Sequence, residues 1–139
     1  MEKNEERGVY FGTVAVRATS ADGAIPIFGA TVAFRLVDEG APRIIAVLLT
    51  DESGKTDDVT VQTPSPLLSL SPSPDSTPYS VVNIEVTANG YYTLANLNVP
   101  VFAGVRSVQN VNMIALPEGA PEGFVSPNVI VFESGAPEL

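Results

Sequence analysis

The feature that most constrains this chain is a series of short apolar runs with a period of two, cut at close intervals by turn residues. In residues 10–18, Val14, Val16 and Ala18 fall on one face and Thr13 and Arg17 on the other. That is the period of a half-buried strand. Residues 31–37 repeat the pattern, with Val32, Phe34 and Leu36 opposite Thr31 and Arg35. Residues 79–88 repeat it again, with Val82, Ile84, Val86 and Ala88 inward and Asn83, Glu85 and Thr87 outward. Residues 43–50 form a nearly continuous apolar run from Ile44 to Leu49. Its β-branched content, short length and flanking turns favour a strand buried on both faces over a short helix. Residues 56–62, 91–102 and 107–116 supply further strands, and no helical period of useful length occurs.

The punctuation agrees with this reading. The chain has 12 Pro and 11 Gly in 139 residues, a density suited to many short strands and turns. Asp22-Gly23, Asp38-Glu39-Gly40, Asp51-Glu52-Ser53-Gly54 and Asn89-Gly90 each mark a turn, and Asn89-Gly90 carries the strongest hairpin signal. The expected fold is all-β: a single seven-stranded antiparallel Greek-key sandwich with an extra C-terminal strand. The expected organisation is a polar N-terminal arm at 1–8, a sandwich over 9–116, and a linker with a C-terminal strand over 117–139. Residues 63–78 are rich in Pro and Ser but contain Leu67, Leu68 and Leu70. They read as a loop packed across the sandwich, with a linker between two domains as the alternative.

Composition excludes several chemistries. There is no His and no Cys. The commonest general base, thiolate metal sites and disulfides are therefore absent. The formal net charge of −9 opposes a phosphate backbone, so no nucleic acid is expected as a partner. No run approaches a transmembrane segment. The charged start, Met1 to Arg7, lacks the apolar stretch of a Sec signal peptide. The sequence assigns no compartment. A cell-surface, spore or extracellular place would need a route other than Sec.

Three short signatures lie in order along the chain. Pro26-Ile27-Phe28-Gly29-Ala30-Thr31-Val32 gives P-x-x-G-A-x-V. Thr50-Asp51-Glu52-Ser53-Gly54-Lys55-Thr56 gives T-D-x-x-G-x-T, and Val86-Thr87-Ala88-Asn89-Gly90-Tyr91 gives V-x-A-x-G-Y. Together, over about residues 10–116, they resemble the carboxypeptidase regulatory-like domain, also described as a prealbumin-like or Cna-B-like sandwich. The resemblance implies fold more than function. Physically the motifs are structural: Asp51 can cap its turn, Gly54 can supply a positive φ, and Gly29-Ala30 are small where a close crossing is expected. The resemblance also raises an intramolecular Lys–Asn isopeptide bond, with the Lys on the first strand. That strand offers Arg17 in place of an amine. Lys3 lies in the arm and Lys55 in a turn, so Asn110, Asn112 and Glu85 have no nucleophile to serve.

Other candidates are weak. Gly54-Lys55-Thr56 ends like a phosphate-binding loop but has Leu49 where that loop needs Gly. Asp51, Glu52, Asp57 and Asp58 cluster around one turn, read as solvated, with a weak Ca²⁺ site as the alternative. No catalytic or metal residues and no cofactor are assigned, and the chain is expected not to be an enzyme. Tyr79, Tyr91 and Tyr92 form a candidate platform for a cell-wall glycan. Val129-Ile130-Val131-Phe132, with Phe124 ahead of it, is an apolar strand that must be covered. It either pairs with the chain's own sheet edge or adds to a neighbouring subunit. From this comes the leading expectation: a non-catalytic structural subunit that self-assembles, as a homo-oligomer or a surface filament, by strand addition. The alternative is a carbohydrate- or protein-binding module of a cell-surface or spore structure.

Overall fold

A computed structural model describes residues 9–38, 40–67, 77–117 and 129–133. The strands are β1 (Tyr10–Ser20), β2 (Ile25–Pro26), β3 (Thr31–Val37), β4 (Arg43–Leu49), β5 (Val59–Thr63), β6 (Tyr79–Thr87), β7 (Thr93–Phe102), β8 (Arg106–Asn112) and β9 (Val129–Glu133). They form two sheets. In the first, β8 runs parallel along one edge of β1, while β5 and β2 share the other edge, both antiparallel. The second has the order β4-β3-β6-β7-β9. The all-β sandwich expected from the alternating runs is therefore the architecture. Purely antiparallel pairing is not: β1–β8 and β7–β9 are parallel. Local alternation sets which face a side chain takes, but pairing direction is fixed only when distant strands meet.

The inward faces are those the periodicity marks. Val14, Val16 and Ala18 of β1, Val32 and Phe34 of β3, and Val82, Ile84 and Val86 of β6 are buried in one core. Val99 and Val101 of β7 complete its far end. Burying a Val, Ile or Phe side chain of this kind contributes about 1.5–3 kcal/mol. The two sheets meet so closely at Gly12 that a Cβ there would strike the Phe102 carbonyl.

The second edge of β1 is completed by three separate pieces, and the middle one is the 50–56 turn. Ala18 donates to the Gly54 carbonyl (2.8 Å) and Thr56 to the Val16 carbonyl (2.9 Å). Two buried threonine hydroxyls lock this turn in place. Thr50 Oγ1 donates to the Ile27 carbonyl (2.7 Å) and accepts from Ala30 N–H (2.9 Å), and Thr56 Oγ1 accepts from Val16 N–H (3.0 Å). Gly54 is required twice over, by its φ of +83° and because a Cβ would lie 2.5 Å from the Ala18 carbonyl oxygen.

Several local expectations are corrected. Among the described residues β4 is an edge strand with no neighbour beyond β3. Its Ile44, Val47 and Leu49 are exposed, so the continuous apolar run does not mark burial on both faces. Gly29 has open space around its Cβ position and a φ of +79°, so a turn conformation, and no close crossing, requires it. Asn89-Gly90 does form a turn, but β6 and β7 pair from Val86↔Leu94 outward, with Tyr91 bridged to Ala115 instead. The connection is thus longer than a two-residue hairpin. Leu67 is exposed. Leu68 and Leu70, like the 1–8 arm, lie outside the described residues. Among the described residues no helix is long and apolar enough to cross a membrane.

The threonine lock generates a direct test. Thr50→Val keeps shape and volume but leaves a buried N–H and a buried carbonyl unpaired. It should lower the unfolding free energy by about 2 kcal/mol, read by urea denaturation, whereas Thr60→Val on the exposed face of β5 should change it little.

Candidate functional site

The first sheet is narrower than the second, and β8 pairs with β1 alone. The inner face of β7 and β9 is therefore left partly uncovered beside the free edge of β8. A cavity of about 320 Å³ opens there. Its floor is Ile84 and Val86 of β6 with Leu94 of β7, its wall on one side is Phe132 of β9, and the 110–112 edge of β8 faces them. Asn96 of β7 and the 110–112 segment of β8, with Val111 turned inward and Asn110 and Asn112 on the opposite face, stand at its border, and among the described residues no ionisable side chain lines it. Asn112 Nδ2 donates to Asp22 Oδ1 (3.1 Å) at the rim. An apolar cavity of this size with a few polar groups has the make-up of a small-molecule site. It suits an uncharged ligand with an apolar, flat body. Sequence reading missed it. The cavity arises from the unequal width of the two sheets, and that is set by long-range pairing.

β9 accounts for the C-terminal apolar run. It lies along β7 in register Thr93↔Val129 to Leu97↔Glu133. Ile130 packs against the core, while Val129, Val131 and Phe132 stay exposed. Phe124 lies outside the described residues. The strand thus completes its own sheet and shields part of the cavity.

The three tyrosines do not come together. Tyr79 begins β6 and stacks at a tilt on Phe102, with ring centroids 5.3 Å apart. Tyr91 and Tyr92 follow the far end of the same strand, a separation of about 3.3 Å per residue along β6. Tyr91 packs against the core and Tyr92 N–H donates to the Ile114 carbonyl (2.8 Å).

The acidic turn is also built for structure. Asp51 Oδ1 accepts from Ser53 Oγ (2.7 Å), Ser53 N–H (2.9 Å) and Lys55 N–H (3.0 Å). The Ser53 hydroxyl, and then the Lys55 N–H, hold the Asp51 carboxyl below the usual carboxylate value. Asp58 Oδ2 accepts from Arg106 Nε at 2.9 Å, which lowers the Asp58 carboxyl and raises the Arg106 guanidinium. Among the described residues no three acidic side chains converge as metal ligands. Glu85 faces Arg35 at 3.8 Å on the outside of the second sheet. Arg17, with no amine, lies in register with Asn110.

No protein-family model and no curated protein matches the chain. Solved structures do share its fold. Wild-type catechol 1,2-dioxygenase of Acinetobacter radioresistens aligns over 94% of this chain and 60% of its own, at 18% identity and a TM-score of 0.50. Catechol 1,2-dioxygenase of Acinetobacter sp. ADP1, inhibited by bound mercury, aligns over 94% and 61%, at 14% identity and a TM-score of 0.53. The chain spans about 60% of the length of these enzymes. At such identity the likeness establishes the fold, an all-β sandwich, and does not single out the carboxypeptidase regulatory-like family. It also corrects the expectation of a self-assembling structural subunit or surface-binding module. The two solved structures are dioxygenases, and among the described residues the strand expected to join subunits is paired inside the chain. Oxygen-inserting chemistry calls for a redox-active metal or organic cofactor. The sequence has no His and no Cys, and among the described residues no three acidic side chains converge.

Both Asp51 and Asp58 titrate lower in the fold than their ordinary value of 3.8. As pH falls, the unfolded chain therefore takes up protons first, and the stability these carboxylates contribute is lost. The melting temperature should drop below about pH 4. Asp51→Asn should flatten that drop in a pH series of thermal melts.

Proposed function

We propose that the chain is a ligand-binding sandwich on an enzyme-related scaffold, holding a small, uncharged, partly aromatic molecule in the cavity between β7, β8 and β9. The single observation that carries this reading is the cavity, with its buried aliphatic floor, its aromatic wall and Asn96 at its border. Ile84, Val86 and Leu94 present almost fully buried side chains to it. A flat apolar body would displace loosely held water from this floor and lay a face against Phe132. Amide groups can both donate and accept, so they suit hydroxyl or carbonyl substituents on the ligand. A charged ligand would find no counter-ion among the described lining residues.

The reading is one of binding without turnover in this cavity. None of the described side chains that line it can exchange a proton near neutral pH, and general acid–base work needs such a group. The ordered turn motifs support the finer reading of a regulatory-type sandwich, a module that accompanies catalytic machinery. The chain's share of the dioxygenase chains, 60% of their length, suits a part of a larger catalytic unit.

Catechol, the compound named for the enzymes of like fold, is the first probe. Titrated into the isotopically labelled chain, it should shift backbone amides of residues 84–86, 94–96 and 110–112 in a saturable manner. Phe132→Ala should weaken binding about tenfold, a loss of about 1.4 kcal/mol. Oxygen uptake with catechol should stay at the level of buffer. Shifts scattered over the surface, or a Phe132→Ala variant that binds as well as the parent, would overturn the assignment.

A further inference from the structure

The outer face of the first sheet holds a feature that the cavity reading does not use. Arg17 of β1 and Lys55 of the turn are bridged antiparallel. The flanking bonds, Ala18 N–H to Gly54 and Thr56 N–H to Val16, make Arg17/Lys55 a non-hydrogen-bonded pair. In such a pair the Cα atoms are about 4.5 Å apart and the side chains leave from the same face. Val16 and Ala18 are buried inward, so Arg17 and Lys55 both emerge outward. On the other side of Arg17, in the parallel register, stands Asn110 of β8. One row across the sheet therefore presents an ammonium, a guanidinium and a carboxamide.

Like charges directly opposite across strands destabilise a sheet. This pair occurs in a chain with 16 acidic residues against 7 basic ones, yet neither cation makes an ion pair among the described residues, where the pairs are Arg35–Glu85, Arg43–Asp38 and Arg106–Asp58. Lys55 lies close enough to Asp51 and Asp58 for its charge to favour both carboxylates, but it makes an ion pair with neither, and each has a stronger partner. Asp51 caps the turn through Ser53 and Lys55 N–H, and Asp58 is held by Arg106.

We infer that Arg17 and Lys55, with Asn110 beside them, form a binding site for a compact oxyanion such as a phosphate, sulfate or carboxylate group. Guanidinium matches the planar or tetrahedral oxygens in a two-point contact, and the ammonium adds a second charge. The surrounding acidity selects for size. A single small anion meets the two cations at short range, whereas a polyanion would press its remaining charges against Asp51, Asp57 and Asp58, beyond which salt screens within about 8 Å.

Inorganic sulfate and phosphate test this on the whole chain at constant ionic strength, with chloride as the reference. Sulfate raises the melting temperature of most proteins by exclusion from their surface, so the comparison is between the parent chain and Arg17→Gln. The parent should gain more than the variant. Its Arg17, Lys55 and Asn110 amide signals should shift saturably with phosphate, and Arg17→Gln should raise the half-saturation concentration about tenfold. Should Arg17→Gln fail to fold, Lys55→Gln carries the same comparison, because its side chain leaves from a surface turn. Equal gains in parent and variant, or shifts that grow linearly without saturating, would overturn the site.

Discussion

The hydroxyls of Thr50 and Thr56 stand at the two ends of one short turn, and the closure of the first sheet depends on them. β1 is the central strand of that sheet, and its second edge is longer than β5 or β2 alone can cover. The turn from Thr50 to Thr56 fills the gap by lending backbone and side-chain groups to β1 and to the segment entering β3. Buried peptide groups left unpaired at this edge would each cost free energy comparable to a lost hydrogen bond. Asp51 then shapes the turn from the solvent side, and Gly54 lets the chain pass under Ala18. Polar chemistry that reads in sequence like a candidate metal or phosphate loop is therefore committed to holding the sandwich together.

With that edge closed, the open features of the molecule fall at three other strands. β4 borders the wider sheet on one side and shows aliphatic side chains to solvent. β9 borders it on the other. β8 ends the narrower sheet and stops short of covering β9. The cavity is the direct result of this mismatch. Its apolar floor is ordinary sandwich core, and its polar border is the edge of β8. A binding pocket in such a fold needs no special loop; it needs one sheet to be narrower than its partner.

Much of the strand layout was legible because period-two burial is local. Val14, Val16, Phe34, Ile84 and Val86 could be assigned inward from their spacing alone, and the structure buries all five. Asp51 and Gly54 could be assigned to turn chemistry on the same grounds. Other features depended on partners far away in sequence. The run from Ile44 to Leu49 looks doubly buried because hydrophobicity does not report whether a second strand lies alongside. Thr50 and Thr56 look like ordinary turn residues because their partners, Ile27, Ala30 and Val16, are remote. The cavity residues were legible singly, as inward apolar positions of β6 and β7. Their common border with Asn110 and Asn112 was not, since it follows from β8 pairing parallel to β1. Tyr79 begins β6 and Tyr91 follows its far end, a separation that the spacing of the two residues implies once the intervening run is a strand.

The parallel pairing of β8 with β1 also has a consequence for how the molecule is made. Ser107 of β8 reaches back to the Thr13 carbonyl across a sequence separation of 94 residues. Closing so long a loop is slow compared with forming a hairpin. On the ribosome, β1 leaves the exit channel long before its neighbour exists. The second sheet's antiparallel meander of β6 and β7 can assemble first from nearby segments, leaving β1 with one edge unsatisfied until synthesis passes Asn112. The β1–β8 edge of the first sheet thus closes only after most of the chain has been made. A chaperone that shields β1 during translation would act on the interval in which this chain is most exposed to mispairing.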